Sequence, residues 1–66
     1  MYEIMIRYPM LIDGEFKNMF RRKHWKVNND GQYLAVGNET NGSGWPTKDE
    51  VRIPMRNVIG WTEIEE

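Results

Sequence analysis

The block Arg21-Arg22-Lys23-His24-Trp25-Lys26 places four fixed cations and the chain's single histidine around one tryptophan. On a strand, Arg22, His24 and Lys26 share one face, and Arg52 and Arg56 supply two further guanidiniums downstream. Such a set can contact phosphates, which positions a nucleic-acid backbone without reading its sequence. One interleaved aromatic is little for base stacking. The same charges on a bare strand would guard it against pairing with another chain. The net charge of -1 gives the whole molecule no general pull on a polyanion.

Trp45, in Gly44-Trp45-Pro46, stands alone in a polar stretch. Tryptophan is enriched among interface anchors, and loops over a rigid scaffold are where binding residues concentrate. The competing role is a lid that folds back over one end of the core. Phe16, Met19 and Phe20 form a second apolar set. His24 has no nucleophile beside it, because the only serine, Ser43, lies in the glycine-rich stretch. Asp49-Glu50 and Glu63-Ile64-Glu65-Glu66 read as solubilising charge, not as a carboxylate pair with divergent pKa values. Gly42 and Gly44 match no phosphate-cradling pattern. The chain has no cysteine, so disulfides and thiolate metal sites are excluded. One histidine cannot make a His cluster. No catalytic, cofactor or metal site is expected, and the chain is not read as an enzyme.

The elements that position these residues are strands. Residues 2–8 alternate, with Tyr2, Ile4, Ile6 and Tyr8 on one face. Pro9 has no N–H to give a ladder, so the strand should end there or lie at an edge. Residues 9–20 allow two readings. Asp13-Gly14 fits a hairpin turn; alternatively Asp13 caps a short helix carrying Phe16, Met19 and Phe20 at helical spacing. The preferred expectation is an irregular excursion of about ten residues with at most two helical turns.

A second strand is expected over 22–28, with Trp25 and Val27 inward. Asn28-Asn29-Asp30-Gly31 is the strongest turn signal in the chain. The return strand, 32–39, has a continuous apolar centre, which predicts cover on both faces. Residues 40–50 read as a mobile polar loop. Strands at 51–55 and 59–65 close the chain, joined by one tight helical turn at Met55-Arg56-Asn57-Val58. Pro54 marks an edge or the end of its strand. The phase slip between Ile59, Trp61 and Ile64 predicts a bulge near Gly60.

This gives an all-β, mainly antiparallel fold of five strands in one domain over residues 1–66. The run His24-Trp25-Lys26-Val27-Asn28-Asn29-Asp30-Gly31-Gln32-Tyr33-Leu34-Ala35-Val36, with the 51–64 stretch, resembles the SH3-like small β-barrel family. The resemblance implies a five-stranded barrel with a long loop after strand 1 and a short helical turn before the last strand. The acidic first loop and paired aromatics of peptide-binding SH3 domains are missing, so no proline-rich ligand is implied. Length, the start at Met1 and richness in Met, Trp and Asn resemble small phage or prophage accessory proteins.

Sixty-six residues bury only about 60% of the surface that the unfolded chain exposes. Dense aromatic packing or a homodimer is the expected compensation. No signal peptide and no ~20-residue apolar run is present, so the expected setting is cytoplasmic, with no membrane partner. The leading expectation is a non-enzymatic protein-interaction module, of the kind a phage uses to modulate or inhibit a host protein. Its candidate contact residues are Trp45, Phe16, Phe20, Arg22, His24, Lys26, Arg52 and Arg56. The alternative is a nucleic-acid-binding barrel using the basic strand face.

Overall fold

Asp13-Gly14 sets the first half of the architecture. Both residues have positive φ, 52° and 84°, as a two-residue hairpin loop of the primed type requires. The structure, a computed structural model, describes residues 1–65. Strand β1 (Tyr2–Ile12) runs into this turn and β2 (Glu15–Arg22) returns from it, with Ile12 opposite Glu15. The irregular excursion expected over residues 9–20 is therefore a long hairpin, and no long loop follows the first strand. The chain crosses at Lys23 into β3 (His24–Val27), turns through 28–31, and continues as β4 (Tyr33–Gly37). A small hairpin follows, β5 (Glu39–Thr40) and β6 (Pro46–Thr47). Then come β7 (Val51–Pro54), one 3-10 turn η1 (Met55–Asn57) and β8 (Val58–Glu63).

The described residues thus form eight strands, not five. They are arranged as two three-stranded antiparallel sheets, β2-β1-β8 and β3-β4-β7, and the β5-β6 ribbon. The ladders do not join into a closed barrel. The helical turn before the last strand is where the sequence placed it. Pro54 lies on β7, an edge strand, as expected.

The two sheets pack their apolar faces together. Ile4, Ile6, Ile12 and Phe20 come from β1 and β2, and Leu34, Val36 and Ile53 from β4 and β7. Burying each such side chain contributes roughly 1.5–3 kcal/mol against the entropy of ordering the chain. The seam at one end is filled by aromatics. Trp25 meets Tyr2 edge-on at 6.3 Å and Trp61 at 4.9 Å. Trp25 thus lies on the core side of β3 as its alternation predicts, but at the rim, 39% exposed and outside the core cluster that Trp61 packs against.

Two irregularities re-aim side chains. Met5 pairs with Gly60 and Ile6 with Val58, so Ile59 is an extra residue in β8. This bulge beside Gly60 turns Ile59 to solvent, away from Trp61. Between the pairs Met5–Met19 and Met10–Lys17, residues 6–9 of β1 oppose only Asn18 of β2. Tyr8 falls in this gap and is exposed instead of joining Ile4 and Ile6 in the core.

Strand β4 is covered on both faces, as its apolar run predicted. The cover on the outer side is the β5-β6 ribbon. The 40–50 stretch is thus ordered, because Asn41 builds it: its Oδ1 accepts from the N–H of Ser43 (3.0 Å) and of Trp45 (2.9 Å). The ribbon sits so close to β4 that a Cβ on Gly37 would lie 2.4 Å from the Thr47 carbonyl oxygen. Gly37→Ala must push the ribbon away. The expected result is a loss of about 1–3 kcal/mol in urea unfolding, with faster amide exchange at Asn41 and Asn38. An unchanged midpoint and unchanged exchange would refute the close packing.

Candidate functional site

Two of the candidate contact residues are structural. Phe20 lies in the core. Arg22, expected on the outward rim, is 5% exposed. Its Nη2 donates to Asp13 Oδ1 at 3.0 Å, its Nε to the Asp49 carbonyl at 2.9 Å and its Nη1 to the Arg21 carbonyl at 2.8 Å. Its guanidinium carbon stands 5.2 Å from the centre of the Phe20 ring. Strand β2 carries its even positions Phe20 and Arg22 inward, so Arg22 follows Phe20 into the interior.

The remaining cations do not form one face. Lys26, Ala35 and Arg52 are opposite one another across β3, β4 and β7, on the side away from the core. His24 pairs with Gly37 on that same side and is exposed. Arg56 sits on η1, lining a different depression with Arg7. Arg52 donates from Nε to Glu50 Oε2 at 2.8 Å, so its charge is locally neutralised.

Trp45 is placed by the outer surface of the second sheet. It packs edge-on to Tyr33 at 6.2 Å, and its Nε1 donates to the same Glu50 oxygen at 3.2 Å. Arg52 lies 5.3 Å from the Tyr33 ring centre and 5.8 Å from that of Trp45. The cluster holds a half-buried tryptophan beside a cleft of about 400 Å³, lined by Lys26, Asn28, Asn29, Asp30, Tyr33 and Trp45. Trp45 does not fold back over an end of the core; it packs on Tyr33 on the outer side of the sheet. The ribbon carrying Trp45 covers β4, while the ring itself edges an open cleft. The hydrogen bond from Arg52 is the main cause that lowers the Glu50 pKa below the ordinary glutamate range. The same bond raises that of Arg52.

Phe16 lies on the surface. It is 75% exposed, on the outer face of the β1-β2 hairpin opposite Leu11, itself 63% exposed. Met19 (53%) pairs with Met5 on that face, and Ile59 (61%) is turned out beside them by the bulge. Met5, Ile6, Asn18, Met19 and Ile59 line a shallow groove of about 210 Å³. Sequence reading missed Leu11 and Ile59. The Asp13-Gly14 turn was the available signal for Leu11, since it sets Leu11 against Phe16. Comparison with protein-family models, curated proteins and solved structures returns no match to this chain.

The Glu50 cluster gives a pH prediction. Its pKa is lowered in the fold, so what Glu50 contributes is fully present above the ordinary carboxylate range. It is lost as pH falls through the depressed pKa. Acid titration should therefore shift the Trp45 indole N–H resonance with a midpoint below that of a free glutamate. Glu50→Gln should abolish the transition. A wild-type midpoint at or above the free value would contradict the geometry.

Proposed function

We propose that this chain is a non-enzymatic protein-interaction module that binds through the outer face of the β1-β2 hairpin. The observation that carries the reading is the outward display of Leu11, Phe16, Met19 and Ile59 on one face of one sheet. The opposite sheet has its outer face covered by its own ribbon; this one has no cover among the described residues. Strand β2 supports the same reading. Among the described residues it has β1 as its only neighbour in the sheet, so the other backbone edge of its eight residues has no strand paired to it there. An added strand could pair there, with affinity from main-chain hydrogen bonds and selectivity from Phe16 and Met19. Trp45 offers a second, preorganised aromatic contact, with Lys26 lining the same cleft.

Within this reading the partner is a host protein that the module modulates or inhibits, in the manner of a phage accessory protein. A second copy presenting the same edge would form a two-fold pair. Binding of nucleic acid is the weaker alternative, because Arg22 is buried and Arg52 is tied to Glu50.

Cross-linking in the native host compares wild type with Phe16→Ser/Met19→Ser. Both positions are exposed, so the fold and melting temperature should hold. Partner proteins recovered with wild type and with a Lys23→Ser control should be lost with the double variant. If the partner is a second copy, light scattering should show a dimer that the variant dissolves. Identical recovery and identical mass for all three proteins would overturn the proposal.

A further inference from the structure

Another depression lies elsewhere, between the middle of β1 and the η1 turn. It is a groove of about 550 Å³ lined by Arg7, Tyr8, Pro9, Met10, Pro54, Arg56 and Asn57. We propose that this groove binds an acidic peptide segment, an extended stretch with carboxylates on either side of an apolar residue.

Charge is the first argument. Three of the five arginines are ion-paired: Arg21 with Glu3, Arg22 with Asp13 and Arg52 with Glu50. Arg7 and Arg56 have no ion pair among the described residues, and both line this one groove. Among the described residues no Asp or Glu lines it with them. A guanidinium presents a planar fork that matches a carboxylate in two parallel hydrogen bonds. Two such forks at one groove select an anion.

The lining is the second argument. Pro9, Met10 and Pro54 give it an apolar character, and Tyr8, 73% exposed, adds a ring with a polar tip. The volume falls within the range of about 300–1,000 Å³ typical of ligand sites. An apolar side chain of the peptide would sit on these residues with its acidic neighbours at the arginines. A nucleic-acid strand fits less well. It would need a continued track of cations and flat stacking surfaces, whereas the groove has one aromatic ring.

Rigidity is the third. The Asn57 side chain clips both walls together. Its Oδ1 accepts from the Tyr8 N–H at 2.8 Å, and its Nδ2 donates to the Tyr8 carbonyl at 3.1 Å. The side-chain amide thus stands in for a strand neighbour where the β1–β8 pairing ends at Ile6. Met55 N–H is held by the Gln32 carbonyl at 2.9 Å. A preformed groove loses little ordering entropy on binding.

The test uses a fluorescein-labelled peptide of alternating glutamate and leucine, its glutamine counterpart, and a labelled thymidine oligonucleotide. Anisotropy should show wild type binding the glutamate peptide, with amide shifts at Tyr8 and Asn57. Arg7→Gln/Arg56→Gln should weaken binding at least about tenfold, with an otherwise unchanged amide spectrum. The glutamine peptide should not bind. Phe16→Ser/Met19→Ser should bind as wild type does, which separates this site from the hairpin face. Equal affinity for the glutamine peptide, equal binding by the double arginine variant, absent shifts at Tyr8 and Asn57, or preference for the oligonucleotide would each overturn the proposal.

Discussion

One buried guanidinium links the two sheets. Arg22 is the last residue of β2 before the chain crosses to β3. From there it reaches three parts of the chain: the Asp13 carboxylate in the first turn, the carbonyl of Arg21 on its own strand and the carbonyl of Asp49 before β7. Burying a charge costs several kcal/mol unless it is paired and hydrogen-bonded. Here three N–H groups have acceptors, and no buried side-chain polar atom among the described residues lacks a partner. The Asp49 contact explains a local oddity. Lys48 and Asp49 both hold φ of 55°, a left-handed backbone that costs a non-glycine residue roughly 1–2 kcal/mol. Arg22 grips the Asp49 carbonyl, and Asn38 holds both the Lys48 carbonyl and the Asp49 carboxylate, at 2.9 and 3.1 Å.

That crossing also decides which surfaces remain free. After it, the second sheet receives the β5-β6 ribbon on its outer side, which buries Ala35 and Gly37. Its surface becomes polar and cationic, with Trp45 pinned on Tyr33. Among the described residues the first sheet receives nothing comparable. Its outer face keeps Leu11, Phe16, Met19 and Ile59, which the irregularity at Asn18 and the bulge in β8 leave turned outward. The two sheets share one core and differ in what covers them, and this difference separates an apolar face from a charged one.

The sequence was most legible where a turn residue or a buried strand leaves a local mark. Asn28 to Gly31, the doubly covered β4, the η1 turn and the bulge beside Gly60 all carry such marks. The β1-β2 hairpin was harder because Phe16, Met19 and Phe20 mimic helical spacing. Their true cause is the irregularity at Asn18. On a regular strand Phe16 and Met19 would point to opposite faces; here both point outward and Phe20 inward. No local pattern announces that four residues of β1 will oppose one of β2. Arg22 was misplaced for a different reason. Arginine is almost never fully buried unless paired, and its partners at Asp13 and Asp49 lie far along the chain. The ribbon was hidden because its order comes from one side-chain oxygen, that of Asn41, and not from any periodicity.

The same logic extends to how the chain uses its arginines. Arg22 holds the sheets together and is enclosed by acceptors. Arg52 and Arg21 lie on the surface beside carboxylates, where solvent and salt screen the pairs. Arg7 and Arg56 belong to neither group. They flank the one place where β1 leaves the sheet ladder and a side-chain amide replaces its neighbour. A fold with so thin a core gains nothing from two like charges that have no ion pair among the described residues, beside exposed proline and tyrosine. Their repulsion and the bare apolar surface both oppose stability. An acidic, partly apolar segment would relieve both at once, which is why the groove between them reads as a site and not as leftover surface.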